Sequence, residues 1–269
     1  MSPIALLFGA IVGLSLGLTG GGGAIFAVPL LVYGLGVSMY EAVGISLAAV
    51  GATSLIGFLS RWRHGEVEIR TGLLFAVAGM IGAPIGTLLA GQISEAALLT
   101  MFAALMLVVA VRLWQKTSKP QITCETKREA PQPTCRRDES GALILTSRCA
   151  VMLSIVGVVT GMLAGMFGVG GGFVIVPALI FFTNMPIHKA VGASLMVIAI
   201  ISVSGVTSHL IAGRSIEPML TLLFIAGGVG GLFAGQAIGK RLSGAALQKG
   251  FAVVIVAVAM FVIAKTLMS

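Results

Sequence analysis

GLSLGLTGGGGAIFAVPLL, residues 13–31, and GMLAGMFGVGGGFVIVPAL, residues 161–179, are one pattern written twice. A shift of 148 residues lays Gly13, Gly17, Gly20, Gly22, Gly23 and Pro29 on Gly161, Gly165, Gly168, Gly170, Gly171 and Pro177. The same shift carries Ala42-Val43-Gly44-Ile45-Ser46-Leu47 onto Ala190-Val191-Gly192-Ala193-Ser194-Leu195, and Gly57, Gly65, Gly79 and Gly91 onto Gly205, Gly213, Gly227 and Gly239. Chance likeness between apolar helices exchanges Leu for Val; it does not hold glycines, prolines and a serine in one register. The chain therefore reads as two homologous repeats, 1–115 and 148–269. A flexible linker at 116–147 joins them, carrying Pro120, Pro131, Pro133 and mixed charge.

Each glycine-rich pattern lies in an apolar run, 3–35 or 150–183. A helix of about 30 residues would extend about 45 Å, more than the roughly 30 Å of bilayer hydrocarbon. Adjacent glycines also disfavour helix by about 1 kcal/mol each relative to alanine. Two short helices meeting at the glycines fit better than one straight span. Further apolar runs follow at 42–60, 71–92, 96–114, 190–208, 216–238 and 246–267. With 57% hydrophobic and only 10% charged residues, against about 25% charged in soluble domains, the chain is an all-α polytopic membrane protein. Strand-like alternation is absent, which argues against a barrel. The first run has no Lys or Arg before it and is too long for a signal-peptide core, so it is read as part of the fold.

The net charge of +8 suggests no nucleic-acid partner, because the basic residues fall between spans, where membrane topology accounts for them. If each glycine-broken pair makes one net crossing, the repeats are parallel, with 13 basic residues on the cytoplasmic face and 4 outside. If the pair returns, the repeats are inverted, and 15 are cytoplasmic with only Arg214 and Lys265 outside. The charge asymmetry favours inverted repeats, each a glycine-broken pair followed by three transmembrane helices, with the linker cytoplasmic. Cys124, Cys135 and Cys149 are ten and thirteen residues apart with no histidine nearby, which is not zinc spacing. We expect reduced thiols, no metal site and no cofactor.

Charged residues avoid the span interiors: Glu41, Arg61, Glu95, Lys189 and Glu217 all lie near ends. A buried carboxylate relay has no candidate, and no Lys-Ser/Thr follows the glycines to make a P-loop. Chemistry is left to backbone amides, hydroxyls and histidine. The first candidate site is the pair of breaks, Gly20, Gly21, Gly22, Gly23 and Ala24 with Gly168, Gly170, Gly171 and Gly172. Half-helices starting there, near Ala24 and Phe173, would aim unpaired N–H groups at an anion; tight helix packing by small residues is the competing use of the same glycines. The second is a polar stripe on the next helix, where Ser46, Thr53, Gly57 and Ser60 lie within about 40° of one line. Its copy holds Ser194, Gly205 and Ser208. Two matching faces can line one cavity, although intramembrane hydroxyls also bond back to their own helix. Arg61 and His209 fall on equivalent positions; Arg61 reads as a topology anchor or an anion-capture group at the cytoplasmic mouth. His209 reads as a plain interfacial residue at a helix end or as the group through which proton coupling could run.

The paired openings, Gly17 to Pro29 and Gly165 to Pro177, with the Ala-Val-Gly-x-Ser-Leu elements after them, resemble the TauE/SafE family of sulfite exporters, also called the TSUP family. The resemblance covers the chain except the linker. It implies a duplicated permease of the bacterial inner membrane for a sulfur-containing anion such as sulfite, thiosulfate or an organosulfonate. It also carries the motif onto Gly20, Gly22, Gly23, Pro29 and Ser46 and onto Gly168, Gly170, Gly171, Pro177 and Ser194. Ala24 stands where the second copy has Gly172, so the half-sites need not be equivalent. A secondary transporter is the leading expectation, with small anions and lipid as its partners; an anion channel using the same cavity and a non-enzymatic assembly subunit are the alternatives. Oligomeric state is left open.

Overall fold

The computed structural model describes residues 2–118, 136–137, 143–144, 147–183, 185–239, 253–262 and 265. Most of the linker and the stretch 240–252 lie outside them. The described chain is helical apart from a two-residue antiparallel pairing of Arg136–Arg137 with Leu143–Ile144. Helix α1 runs Ser2–Thr19, α2 Gly22–Gly34, α3 Met39–Trp62, α4 Ile69–Ala90 and α5 Glu95–Ser118. Then come α6 Ser147–Phe167, α7 Gly172–Thr183, α8 Ile187–Ile211, α9 Pro218–Gly239 and α10 Val253–Val262. Helices α3, α4, α6, α8 and α9 are long and apolar enough to cross a bilayer, so the protein is a multi-pass membrane protein. Leu7, Val77, Ile81, Leu88, Val203 and Leu222 face outward, where lipid rewards an apolar surface.

Both expected interruptions are present. The chain breaks after Thr19 and after Phe167 and resumes at Gly22 and Gly172. Helix α2 is irregular: a 3₁₀ turn over Gly22–Phe26 passes through Ala27–Pro29 into a π turn over Leu30–Gly34. Pro29 has no N–H to give to an α-helical ladder, and the flanking geometry adjusts around it. Helix α3 starts cleanly because Ser38 Oγ accepts from the Glu41 amide at 3.4 Å, one half of a capping box.

Glycines dictate how the helices pack. A Cβ built on Gly13 would sit 1.9 Å from the Gly228 carbonyl oxygen, and one on Gly9 2.3 Å from that of Phe224. Helices α1 and α9 therefore touch backbone to backbone and run parallel, the close approach that small residues permit in membranes. Helices α4 and α6 do likewise: Gly82 meets Val158 and Gly86 meets Met162. Between them α3 and α8 cross antiparallel, with Gly57 against Leu195, Gly51 against Ser202 and Gly205 against Leu47. Helix α2 doubles back along α1, since Gly23 meets Ser15 and Leu16 while Gly34 meets the Phe8 ring. That return resolves the uncertainty about the broken pair: it folds back and does not continue across.

One expectation is corrected. Cys149, read as a reduced thiol, is fully buried in the first turn of α6 and disulfide-bonded; its partner lies outside the described residues. Spacing alone could weigh zinc ligation but not the approach of two distant sulfurs.

Candidate functional site

The two glycine breaks meet. A Cβ on Gly21 would lie 2.7 Å from Gly172 Cα, and one on Gly172 would lie 2.5 Å from Gly21 Cα. Gly170 packs against Val50 and Ile198, near the midpoints of α3 and α8. Gly20, Gly21, Gly22, Gly23 and Ala24, like Gly168, Gly170, Gly171 and Gly172, are all buried. The breaks are interior junctions and not surface loops. Glycine is required there because Gly20, Gly21, Gly168, Gly170 and Gly171 adopt φ of +73°, +151°, +69°, +65° and +70°, a region costly for residues with a Cβ.

Ser46 and Ser194 tie the breaks down from opposite helices. Ser46 Oγ, on α3, donates to the Gly168 carbonyl at 2.6 Å; Ser194 Oγ, on α8, donates to the Gly20 carbonyl at 2.5 Å. Both serines are fully buried. Ser194 Oγ also lies 2.8 Å from the Val191 carbonyl of its own helix; in this arrangement the two serines position the breaks.

The break amides are not equally served. In the first, Thr19 Oγ1 accepts from the Gly22 amide at 3.0 Å while donating to the Ser15 carbonyl at 2.7 Å. The position equivalent to Thr19 is Phe167, which cannot do this. Among the described residues the buried amides of Val169, Gly170 and Gly171 in the second break, and of Gly21 in the first, have no hydrogen-bond partner. Successive free N–H groups in such a turn form an anion-binding concavity.

Other stripe residues divide. Thr53 is buried in a narrow crevice with Gly13, Val50 and Gly228. Gly57 packs on Leu195 and Leu232, and Gly205 on Leu47, as helix-contact glycines do. Ser208 bonds back to the Ser204 carbonyl at 2.8 Å. Arg61 forms an ion pair with Glu66 at 3.1 Å. His209 is fully buried, beside Gly44.

Two residues escaped the sequence reading. Ser54 and Ser202 are equivalent under the 148-residue shift, and both are buried where α3 crosses α8. Neither hydroxyl has a partner, whereas Thr87, Thr160, Thr207 and Thr221 each bond back to a carbonyl of their own helix. Each lies one helical turn from a residue that Gly170 touches, Val50 or Ile198. Their identity across the shift was the available signal. The free amides of the break and the free hydroxyls one helical turn from the residues that it touches are donors of the kind that an anion accepts.

A polytopic helical bundle with broken helices meeting in its interior is the architecture of a membrane transporter, and similarity to known proteins agrees. The Sulfite exporter TauE/SafE family matches residues 5–262, and the chain belongs to that family. It is 34% identical over 261 residues to a "Probable membrane transporter protein" of Xylella fastidiosa, covering 95% of this chain and 92% of that one. It is 27% identical over 248 residues to the Bacillus subtilis "Probable membrane transporter protein YunE", covering 89% of each. A "Probable membrane transporter protein" of Methanocaldococcus jannaschii is 26% identical over 216 residues, covering 78% and 73%. No solved structure matches.

Proposed function

We propose that the chain is a secondary carrier for a small sulfur-containing anion, such as sulfite, thiosulfate or an organosulfonate, held where the two glycine breaks meet. The observation that carries this reading is the run of unpaired buried amides at Val169, Gly170 and Gly171 beside the unpaired Ser54 and Ser202 hydroxyls. Amides supply donors only, and buried donors without partners are costly unless something else accepts from them. An oxyanion supplies several acceptors. The family's name points the same way.

The halves act as inverted copies in this proposal. Helices α3 and α8 are equivalent under the shift and cross antiparallel, as inversion requires, and α1 on α9 mirrors α6 on α4. Rocking one half against the other would then open the junction to each face in turn. Following the alternating directions from α1, the described Arg61, Arg63, Arg70, Arg148 and Lys189 fall on the face where α5 ends, opposite Arg214, and the positive-inside rule makes that face cytoplasmic in a bacterial inner membrane. The Cys149 disulfide pulls the other way; the charge bias is the broader signal. A carrier is favoured over a channel because Gly21 and Gly172 close directly on each other.

Uptake of labelled thiosulfate, sulfite and small sulfonates into proteoliposomes, with and without a pH gradient, tests the proposal. Saturable flux above that of empty vesicles is expected for at least one of them. Flux no greater than the empty-vesicle rate for all of them removes it.

A further inference from the structure

Under the 148-residue shift Arg61 corresponds to His209 and Glu66 to Arg214. At one end of the α3–α8 pair Arg61 and Glu66 neutralise each other across 3.1 Å. At the other end the carboxylate position is taken by a guanidinium, and the pair has become two donors. His209 is fully buried with its ring near the Gly165 carbonyl, neither ring nitrogen makes a well-formed hydrogen bond, and Arg214 Nη1 is buried without a partner. Arg214 is held in place: its Nη2 donates to the Thr87 carbonyl at 3.4 Å and its guanidinium lies 4.7 Å from the Tyr40 ring centroid. No carboxylate comes within 4.0 Å of it among the described residues. Of the acidic groups at this end, Glu41 and Glu217 make no ion pair with it, and the Glu95 carboxylate accepts from the Met39 amide.

From the donors His209 and Arg214 left without the acceptor that Glu66 provides at the opposite end, we propose an anion-capture site for a small oxyanion at the α8–α9 turn. The cluster adjoins the second break. Thr87, whose carbonyl binds Arg214, turns its Oγ1 toward the Gly165 carbonyl at 3.5 Å, and Gly44 beside His209 lies two residues before Ser46, the partner of Gly168. Arg214 is also out of place as a topology anchor. Following the helix directions it stands on the face opposite Arg61, Arg63 and Lys189, so the positive-inside bias does not account for it.

The inference rests on the reading that the chain handles anions, and its test is separate from transport. Purified full-length protein in detergent is titrated with sodium thiosulfate or sodium sulfate against sodium chloride at matched ionic strength, and the unfolding midpoint is followed. Binding to the folded state raises the midpoint with saturation. The shift is expected to saturate in the unsubstituted protein and in His64→Gln, which changes an exposed turn at the other end. Arg214→Gln should need at least about tenfold more anion, the factor for one lost charge-assisted hydrogen bond, and Arg214→Lys should recover part of that. The double variant His209→Arg/Arg214→Glu installs the ion pair that the opposite end already accommodates, so it should fold and show no saturable shift. A saturable shift of ordinary affinity in the double variant, or none in the unsubstituted protein, overturns the site. Saturable binding that depends on Arg214 without vesicle flux removes the carrier and keeps the site. Flux with unchanged KM in the double variant does the reverse.

Discussion

Gly172→Ala addresses the contact on which the whole arrangement turns. The added Cβ would lie 2.5 Å from Gly21 Cα, 2.6 Å from Ile198 Cδ1 and 2.8 Å from the Gly21 carbonyl oxygen. Carbon atoms pack best at about 3.5–4.0 Å, so the Gly21 and Gly172 backbones must part by roughly 1 Å. The Ile198 methyl can swing aside; the Gly21 backbone, at φ +151°, cannot easily rearrange. Overpacking of this kind costs about 1–3 kcal/mol. Alanine recovers at most about 1 kcal/mol of helix propensity at the start of α7, which with full recovery leaves a net loss of about 0–2 kcal/mol. The upper end of that range is a factor of about 30 in the population of the closed junction. The control is Gly230→Ala, inside α9 with nothing within 4 Å of its Cβ, expected to be neutral or stabilising by up to about 1 kcal/mol. Both variants would be compared by thermal unfolding in detergent and by thiosulfate uptake into vesicles. If Gly172→Ala matches Gly230→Ala in both assays, the breaks do not meet as described.

Gly13→Ala and Gly161→Ala place a Cβ 1.9 and 2.0 Å from the carbonyl oxygens of Gly228 and Gly79. Each should cost about 1–3 kcal/mol or more by forcing a parallel helix pair apart, seen as lost yield and a lower midpoint. The two serine pairs should separate: Ser46→Ala and Ser194→Ala each remove a made hydrogen bond and should cost about 1 kcal/mol. Ser54→Ala and Ser202→Ala remove hydroxyls that lack partners, so stability should hold or rise while flux falls; equal stability losses in both pairs would contradict the assignment. In a background without native cysteines, Arg63→Cys and Gln92→Cys should label from opposite faces with a membrane-impermeant maleimide, Arg63→Cys from the cytoplasm. Labelling of both from one face would break the alternation of α3 and α4.

Much of the fold was legible because membrane spans announce themselves by length and lack of charge. The run 71–92 became Ile69–Ala90, and 3–35 became α1 and α2 with the break where the glycines stand. The direction of α2 was not legible. Whether it continues or returns depends on Gly23 packing against Ser15 and Gly34 against Phe8, contacts that local sequence cannot report. The bonds that the hydroxyls make were not legible. Ser46 and Ser194 stood out by position, yet they bond across to glycine carbonyls. Ser54 and Ser202 lie off the stripe through Ser46 and Thr53, and what distinguishes them is a missing bond. Absence of a back-bond to the helix is a three-dimensional fact.

Two differences between positions related by the 148-residue shift bear on the candidate site. Thr19 caps the first break through the Gly22 amide, and Phe167 in its place leaves the second break uncapped. Arg61 is neutralised by Glu66, while His209 and Arg214 pair with no acid among the described residues. The free amides of Val169, Gly170 and Gly171 follow Gly165, whose carbonyl accepts from Thr87 Oγ1, while the Thr87 carbonyl accepts from Arg214. An anion would meet donors successively from the α8–α9 turn to the junction, whereas from the Arg61 end it would meet an ion pair and a capped break. In the proposed carrier, the differences between Thr19 and Phe167 and between Glu66 and Arg214 would favour approach of the anion from the α8–α9 turn.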